Sequence, residues 1–361
     1  MKQTLNMENR YIFVIPDMGS GGAERVISIL CNNFSRLGLR TEVWMLFGSR
    51  MHYQLPESVG VRTFGMLNMP MKQRIGRMRA ALRDAKCGQG RVILYAFHDS
   101  ALKYALAARC GLGGIRVISA ERNNPYIKGG SLLSRIKNTL PYLMSSHSVF
   151  QTPDARKYYL LPESKCSVIP NPITPTGKAW QGSLSPEKLI SVCRLHSQKN
   201  IPMLLEAVGM LRVKFPDIHL DIYGEGELKE ELERIISGMG LARHVSLRGV
   251  TRDTAEKLAE ASVFVSTSDY EGISNSMLEA MAAGMPVVCT DCPIGGARLM
   301  LGEGGGMLSP VGDAGAFARR LEELLGAPEQ ARRMAAKAKQ TSLKYSPESI
   351  SLQWLKAGRR K

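Results

Sequence analysis

Aromatic residues make up only 6% of this 361-residue chain, acidic residues are outnumbered 32 to 48 by Lys and Arg, and the seven cysteines lie scattered. No stretch approaches the roughly 20 consecutive apolar residues that a membrane-spanning helix needs. The apolar run Tyr11–Ile15 is too short for the core of a signal peptide, and Pro16 and Asp17 stop it. The odd, dispersed cysteines fit a reducing compartment. Cys289 and Cys292 form a C-x-x-C, with no second pair to complete a zinc site. Short repeats are absent, which excludes collagen-like and other low-complexity classes, and 44% hydrophobic content excludes disorder. The length exceeds what one core usually serves, so two domains are expected. These features describe a cytoplasmic protein, soluble or peripheral.

The shortage of acid is uneven. From Met1 to Pro175 there are 24 basic and 10 acidic residues, a surplus of 14; from Thr176 onward 24 face 22, a surplus of 2. Two halves with different partners follow. The densest stretch, Lys72–Arg91, carries Lys72, Arg74, Arg77, Arg79, Arg83, Lys86 and Arg91 against Asp84 alone. Ile75, Met78 and Leu82 recur within it at helical spacing. It reads as a basic amphipathic helix, suited to an anionic bilayer or a phosphate-bearing lipid; a solvated helix face is the alternative.

Short β-branched runs alternate with amphipathic stretches. Strands are expected at Tyr11–Ile15, Thr41–Phe47, Val59–Phe64, Val92–Phe97 and Ile115–Ser119, and again at Leu189–Cys193, His219–Tyr223, Val245–Leu247, Val263–Ser266 and Val287–Thr290. Ala23–Leu37, Ile201–Phe215, Glu227–Met239, Ala255–Ala261 and Gly315–Leu325 read as helices between them. Such alternation builds parallel sheets covered on both faces. It occurs twice, predicting an α/β protein of two doubly wound, Rossmann-like domains facing a cleft. The expected boundaries are residues 1–172, a linker at 173–186 rich in Pro, Gly, Thr and Ser, a second domain at 187–345, and a basic-ended terminal helix at 346–361 that could pack back on the first domain.

Ligands of such sheets bind beyond the C-terminal ends of the strands, which makes the following loops the place for chemistry. After the first strand, Gly19-Ser20-Gly21-Gly22 opens a helix whose free N–H groups suit an anion. After the first strand of the second half, Arg194 and Lys199 could clamp a diphosphate, one as a planar fork and the other as a point charge. The third loop, Asp269 to Val288, carries Glu271-Gly272 and then Ser274 or Asn275 as a helix cap. Glu279 follows within an apolar helix start, and Gly284 and Pro286 end the helix.

The pair Glu271 and Glu279, within E-G-x-x-x-x-x-L-E-A-M-A-x-G-x-P-V-V, resembles the signature of retaining GT-B glycosyltransferases of family GT4. Gly21-Gly22-Ala23-Glu24-Arg25, Pro170-Asn171-Pro172, Arg194 with Lys199, and Tyr223-Gly224-Glu225-Gly226 match that family in the right order, so the resemblance covers essentially the whole chain. It implies an acceptor-binding first domain and a nucleotide-sugar-binding second one. It also implies that Arg194 and Lys199 hold the donor diphosphate, Glu279 the ribose, and Glu271 a place near the transferred sugar. Gly272, Ile273 and Ser274 would reach sugar and distal phosphate through their backbone. Gly224, Gly226 and Arg248 would border the base, Gly21 and Gly22 the phosphates, and Glu24 the acceptor. Arg74, Arg77, Arg79 and Arg83 would face acceptor lipid or membrane. No metal or other cofactor is expected, since two cations and a helix dipole serve the leaving group.

Many members carry a histidine in the loop after the fifth strand; here that loop reads Ser119-Ala120-Glu121-Arg122-Asn123-Asn124-Pro125, similar to capsule, exopolysaccharide and O-antigen enzymes. Its role falls to Glu121, Arg122 or Asn123, or to His98 after the preceding strand. The expected reaction moves a hexose or N-acetylhexosamine from a UDP-linked donor to a polyprenyl-diphosphate-linked glycan. The enzyme would be a monomer, peripheral on the cytoplasmic face of an anionic plasma membrane. A UDP-sugar epimerase is the nearest rival, and a basic nucleic-acid-binding protein a distant one.

Overall fold

The computed structural model describes residues 7–19, 21–86, 90–175, 177–185, 188–251, 253–302 and 304–359. The chain forms two compact units: Met1–Pro172 with Pro347–Lys361, and Ile173–Ser346. Unit 1 is built on seven parallel strands: β1 (Arg10–Ile15), β2 (Arg40–Met45), β3 (Gly60–Thr63), β4 (Val92–Phe97), β5 (Ile115–Glu121), β6 (His147–Phe150) and β7 (Cys166–Val168), in the order β3-β2-β1-β4-β5-β6-β7. Unit 2 has six: β8 (Leu189–Val192), β9 (Leu220–Tyr223), β10 (Val245–Gly249), β11 (Val263–Ser266), β12 (Val287–Thr290) and β13 (Met307–Ser309), in the order β10-β9-β8-β11-β12-β13. The ten expected strands correspond to ten of these. The α/β, doubly wound GT-B class is what the sheets display.

The central strands β1 and β4 are apolar along most or all of their length and buried, as strands covered on both faces must be. Their few aromatics are concentrated. Phe13 stacks on Tyr95 at 5.1 Å, and Phe97 stacks on Trp354 at 5.1 Å. Trp354 belongs to the helix Pro347–Arg359, which is part of unit 1, and its carbonyl accepts a 3.0 Å bond from the Tyr95 hydroxyl. Gly358 passes so close to Tyr95 that a Cβ would lie 2.6 Å from the hydroxyl oxygen. The core of unit 2 is aliphatic and methionine-rich instead, apart from Phe264 and Phe317.

Three strands escape the sequence pattern. β6 and β7 are short and carry buried polar residues: Ser148 bonds the Ser119 hydroxyl at 2.8 Å, and His147 bonds Ser167 at 2.9 Å. β13 is three residues long. The segment expected as a linker is counted within unit 2, where Ile173 is buried and the Trp180 indole donates to the Ala261 carbonyl at 3.0 Å. Pro186 and Glu187, at the expected boundary, lie outside the described residues, as do Arg360 and Lys361 at the end of the expected terminal helix.

The basic stretch forms the helix Met71–Ala85, and here the structure corrects the bilayer reading. Met78 and Leu82 are fully buried against unit 1 itself, so the apolar stripe is already spent on the core. The arginines are also engaged. Arg74 donates to the Met69 and Leu67 carbonyls and the Tyr104 hydroxyl, Arg77 to the Phe64 carbonyl, and Arg79 to the Ala108 and Cys110 carbonyls. Arg83 is exposed on the outer face. Among the described residues no helix is long and apolar enough to cross a membrane.

Candidate active site

In each sheet the strand order reverses beside the first strand, between β1 and β4 in unit 1 and between β8 and β11 in unit 2. The loops leaving those strands carry the predicted residues.

In unit 2 the β8 loop and the β11 loop are stitched together. Gln198 donates its amide to the Tyr270 carbonyl at 2.8 Å, the Asp269 N–H reaches the Gln198 carbonyl at 3.0 Å, and Asn200 donates to Asp269 at 2.7 Å. Asn200 itself takes a left-handed conformation (φ 43°), which turns the chain into the helix Ile201–Leu211 that its side chain caps. This stitching brings Lys199 against Glu271 in an ion pair, with 13% and 23% of the two side chains exposed. Arg194, on the same loop, is exposed and makes no ion pair among the described residues.

Ser274 caps the helix Asn275–Ala283, accepting from the Met277 N–H, and Gly284 closes it in the left-handed conformation. Met277, Leu278 and Met281 bury one face. Glu279 lies one turn in on the open face with Asn275 and Ser276, half-buried. The helix start therefore offers backbone N–H groups beside Glu271-Gly272 and Lys199, with Glu279 further along. Behind it a cavity of about 20 Å³, room for one water, is lined by Glu271, Ser274, Cys289 and Cys292 among others. Burial pushes both thiols up, Cys292 to about 11, so neither carries a thiolate at neutral pH. Among the described residues no group of His, Cys, Asp and Glu is arranged to hold a metal ion.

Gly224 and Gly226 follow β9. A Cβ at either would collide with the Cys193 or Leu195 carbonyl, so glycine there lets the β9 loop lie flat on the β8 loop. The Gly224 N–H reaches the Gly249 carbonyl at 2.8 Å, which joins the β10 end to the same group. The Arg248 guanidinium, by contrast, is held on the Asp221 carboxylate at 2.6 Å. Sequence reasoning passed over Gly295-Gly296 after β12, where the Gly296 backbone packs on the Gly272 carbonyl; a Gly-Gly pair following a strand was the available signal.

In unit 1, Gly21 caps the helix Gly22–Arg36, and the Glu24 carboxylate folds back against it. Ser20 lies outside the described residues. His98 ends β4 with φ at 96°, exposed, its Nδ1 held by Ser100 at 2.9 Å. A non-glycine residue kept in that conformation marks a constrained position.

Glu121 is buried and saturated. One oxygen accepts the Arg122 and Asn123 N–H groups at 3.1 and 3.2 Å; the other accepts Lys128 at 2.6 Å, Tyr142 at 2.9 Å and Tyr159 at 2.5 Å. Asp99 adds a second carboxylate, 2.8 Å from Lys128. Burial alone would push the Lys128 ammonium down, but the two carboxylates outweigh it and hold its pKa above the ordinary lysine value. Burial pushes the Tyr142 and Tyr159 phenols up. Arg122 turns away from the strand ends. It donates to the Ile169 carbonyl and the Asn171 side chain and lies over Phe97 and Trp354, and burial pushes its guanidinium down to about 9. The Asn of Pro170-Asn171-Pro172 is thus a buried pin, also bonded by Gln151 at 2.8 Å. Of the histidine's possible substitutes, Glu121 and Arg122 are committed to the fold, whereas Asn123 and His98 are exposed.

Comparisons agree with this architecture. Residues 186–327 match the family model described as glycosyl transferases group 1. A stretch of 159 residues is 34% identical to EpsD of Bacillus subtilis, named as a glycosyltransferase, covering 44% of this chain and 41% of that protein. Over 97% of this chain and 99% of the relative, identity is 28% to an N-acetylgalactosaminyltransferase of Campylobacter jejuni named for a diphospho-undecaprenol substrate. Among solved structures, HepE of Anabaena in complex with UDP superposes with a TM-score of 0.80 over 97% of this chain and 99% of that one, at 17% identity. TarM of Staphylococcus aureus does so at 0.78 over 98% and 100%, at 14% identity. Residues 186–327 thus resemble the group 1 glycosyl transferases, and over nearly its whole length the chain, with its two parallel sheets, shares the GT-B fold of these solved structures.

Proposed function

We propose that the protein transfers a hexose or N-acetylhexosamine, with retention of configuration, from a UDP-sugar to a lipid-linked oligosaccharide during surface-polysaccharide assembly. The observation that carries this reading is the convergence in unit 2 of Lys199, Glu271 and the capped start of the helix Asn275–Ala283. Arg194 and Lys199 bind the diphosphate, and the helix N-terminus adds N–H donors. Glu279 accepts from the ribose hydroxyls, and Glu271 from the sugar. The acceptor hydroxyl oxygen bonds the anomeric carbon as the carbon–oxygen bond to the diphosphate breaks. The hydroxyl proton passes to the departing phosphate oxygen on the same face. Charge developing on that oxygen is met by the two cations, which makes a metal unnecessary.

In the free protein Lys199 is neutralised by Glu271, so the donor's phosphate must take the lysine over from a carboxylate. UDP as the carrier is supported by the ligands of HepE and TarM, and a diphospho-linked lipid acceptor by the Campylobacter relative's name. The epimerase reading is not favoured, because the Bacillus and Campylobacter relatives are named as transferases. Lys199→Ala is expected to lower transfer about 10³-fold, the scale of losing one preorganised charge donor, with an unchanged melting temperature. Near-normal turnover in a donor–acceptor assay would refute the clamp.

A further inference from the structure

Phe97 ends β4 and Asp99 opens the helix Asp99–Arg109, so the chain turns from strand to helix on His98 alone. That turn holds His98 at φ 96° and ψ 148°, a region that glycine enters freely and residues with a Cβ almost never do. Glycine would make the same turn without strain. The ring does serve the helix: its Nδ1 accepts the Ser100 N–H at 3.3 Å and lies 2.9 Å from the Ser100 hydroxyl oxygen. Asn also caps helices and tolerates positive φ better, so capping does not explain a strained histidine.

What the imidazole has beyond a cap is its second nitrogen. A backbone N–H can only donate, so Nδ1 carries no proton while it caps, and in the neutral ring the proton sits on Nε2. Among the described residues Nε2 has no hydrogen-bond partner, and the ring is exposed. Its place is equally specific. β1 and β4 are adjacent, with Val14 beside Ala96, and the strand order reverses between them. Ligands of such sheets lie outside the strand ends at that reversal. The charged groups at the ends of β4 and β5 are engaged with one another, Lys128 with both Asp99 and Glu121. His98 and Asn123 stay exposed beside them. Uncharged donors of this kind suit the hydroxyl oxygens of a sugar, whereas a phosphate calls for cations or a helix start.

We infer that His98 is an acceptor-binding residue of unit 1, its Nε2–H donating to an oxygen of the glycan acceptor. The strain is retained because an imidazole caps the helix with one nitrogen and reaches substrate with the other. The inference deepens the glycosyl-transfer reading, on which it rests. The test compares His98→Asn, which keeps a cap and loses Nε2, with His98→Gly, which loses both ring and strain. Acceptor is supplied as a detergent-dispersed extract of bacterial lipid-linked glycans, and donor as UDP-glucose, UDP-galactose or their N-acetyl counterparts. Both variants should raise the acceptor KM about tenfold, the scale of one lost hydrogen bond, at an unchanged donor KM. UDP affinity by calorimetry should not move. The glycine variant should also melt higher than the unaltered chain, since the strain it sheds outweighs the cap it loses. An unaltered acceptor KM in His98→Asn, a glycine variant that melts lower, or UDP affinity that falls in step with transfer would each overturn the inference. An unaltered chain that neither binds UDP nor transfers would strike the glycosyl-transfer reading itself, and the inference with it.

Discussion

The two sheets are wound alike around their first strands, yet their strand ends carry charge in opposite fashions. In unit 1 the charge is closed upon itself: Glu121 has both oxygens filled, Lys128 answers two carboxylates, and Arg122 is spent on Ile169 and Asn171. In unit 2 it is open: Lys199 has one carboxylate partner, Arg194 has none among the described residues, and a helix start lies beside them. A carboxylate with every lone pair engaged holds a loop in shape, whereas a cation with a single exchangeable partner can take up a ligand. The same residue types therefore close on one another in one unit and stand open to a ligand in the other.

Four changes probe that contrast, beginning with the largest. Trp354→Ala removes the ring on which Phe97 stacks and should cost unit 1 about 3–5 kcal/mol in urea unfolding, leaving intact the UDP binding proposed for unit 2. Equal loss of both would show that the units do not hold their cores separately. Glu121→Gln leaves Lys128 with one carboxylate and should cost about 3 kcal/mol; if unfolding were unmoved while transfer collapsed, the network would be catalytic machinery and the contrast would fail. The third test is pH. Lys128, raised in the fold, stabilises fully below its unfolded value near about 10.4, and that stability is lost as pH climbs through the folded value. Tyr142 and Tyr159, also raised, act in the same direction, because the unfolded chain loses those protons first. Each of these three groups should weaken unit 1 above roughly pH 10 by up to about 1.4 kcal/mol per pH unit, while Arg122, pushed down to about 9, acts in the opposite direction; a Glu121→Gln variant with the same profile as the unaltered chain would deny the cluster its charge. Smallest, Glu271→Gln releases Lys199 and should tighten UDP binding about threefold in calorimetry while slowing transfer. Weaker UDP binding would mean that the carboxylate positions the lysine and does not compete for it.

What the sequence disclosed depended on distance along the chain. The alternation of strands and helices, and the cap, carboxylates and terminating glycine of Ser274 to Gly284, are local patterns and read directly. The Arg122–Asn171 pin joins residues 49 apart, and the Tyr95–Trp354 bond residues 259 apart, and no local pattern announces either. Hydropathy spacing was informative but ambiguous in another way. In Met71–Ala85 it located a stripe correctly without saying that the stripe faces the domain, and Leu132–Met144 has the same helical spacing of apolar residues although those residues face solvent. Periodicity defines a face; the medium that face meets is settled by tertiary packing.

The return of the helix Pro347–Arg359 to unit 1 has a consequence for biosynthesis. Translation delivers everything from Ile173 to Ser346, a contiguous and self-contained unit, before the residues that plug Trp354 over β4 exist. The domain begun first is therefore finished second, and on the ribosome its aromatic floor waits, uncovered, for a segment made after its neighbour has had the chance to fold. Premature termination anywhere in that helix would strike the early half of the protein and spare the later one.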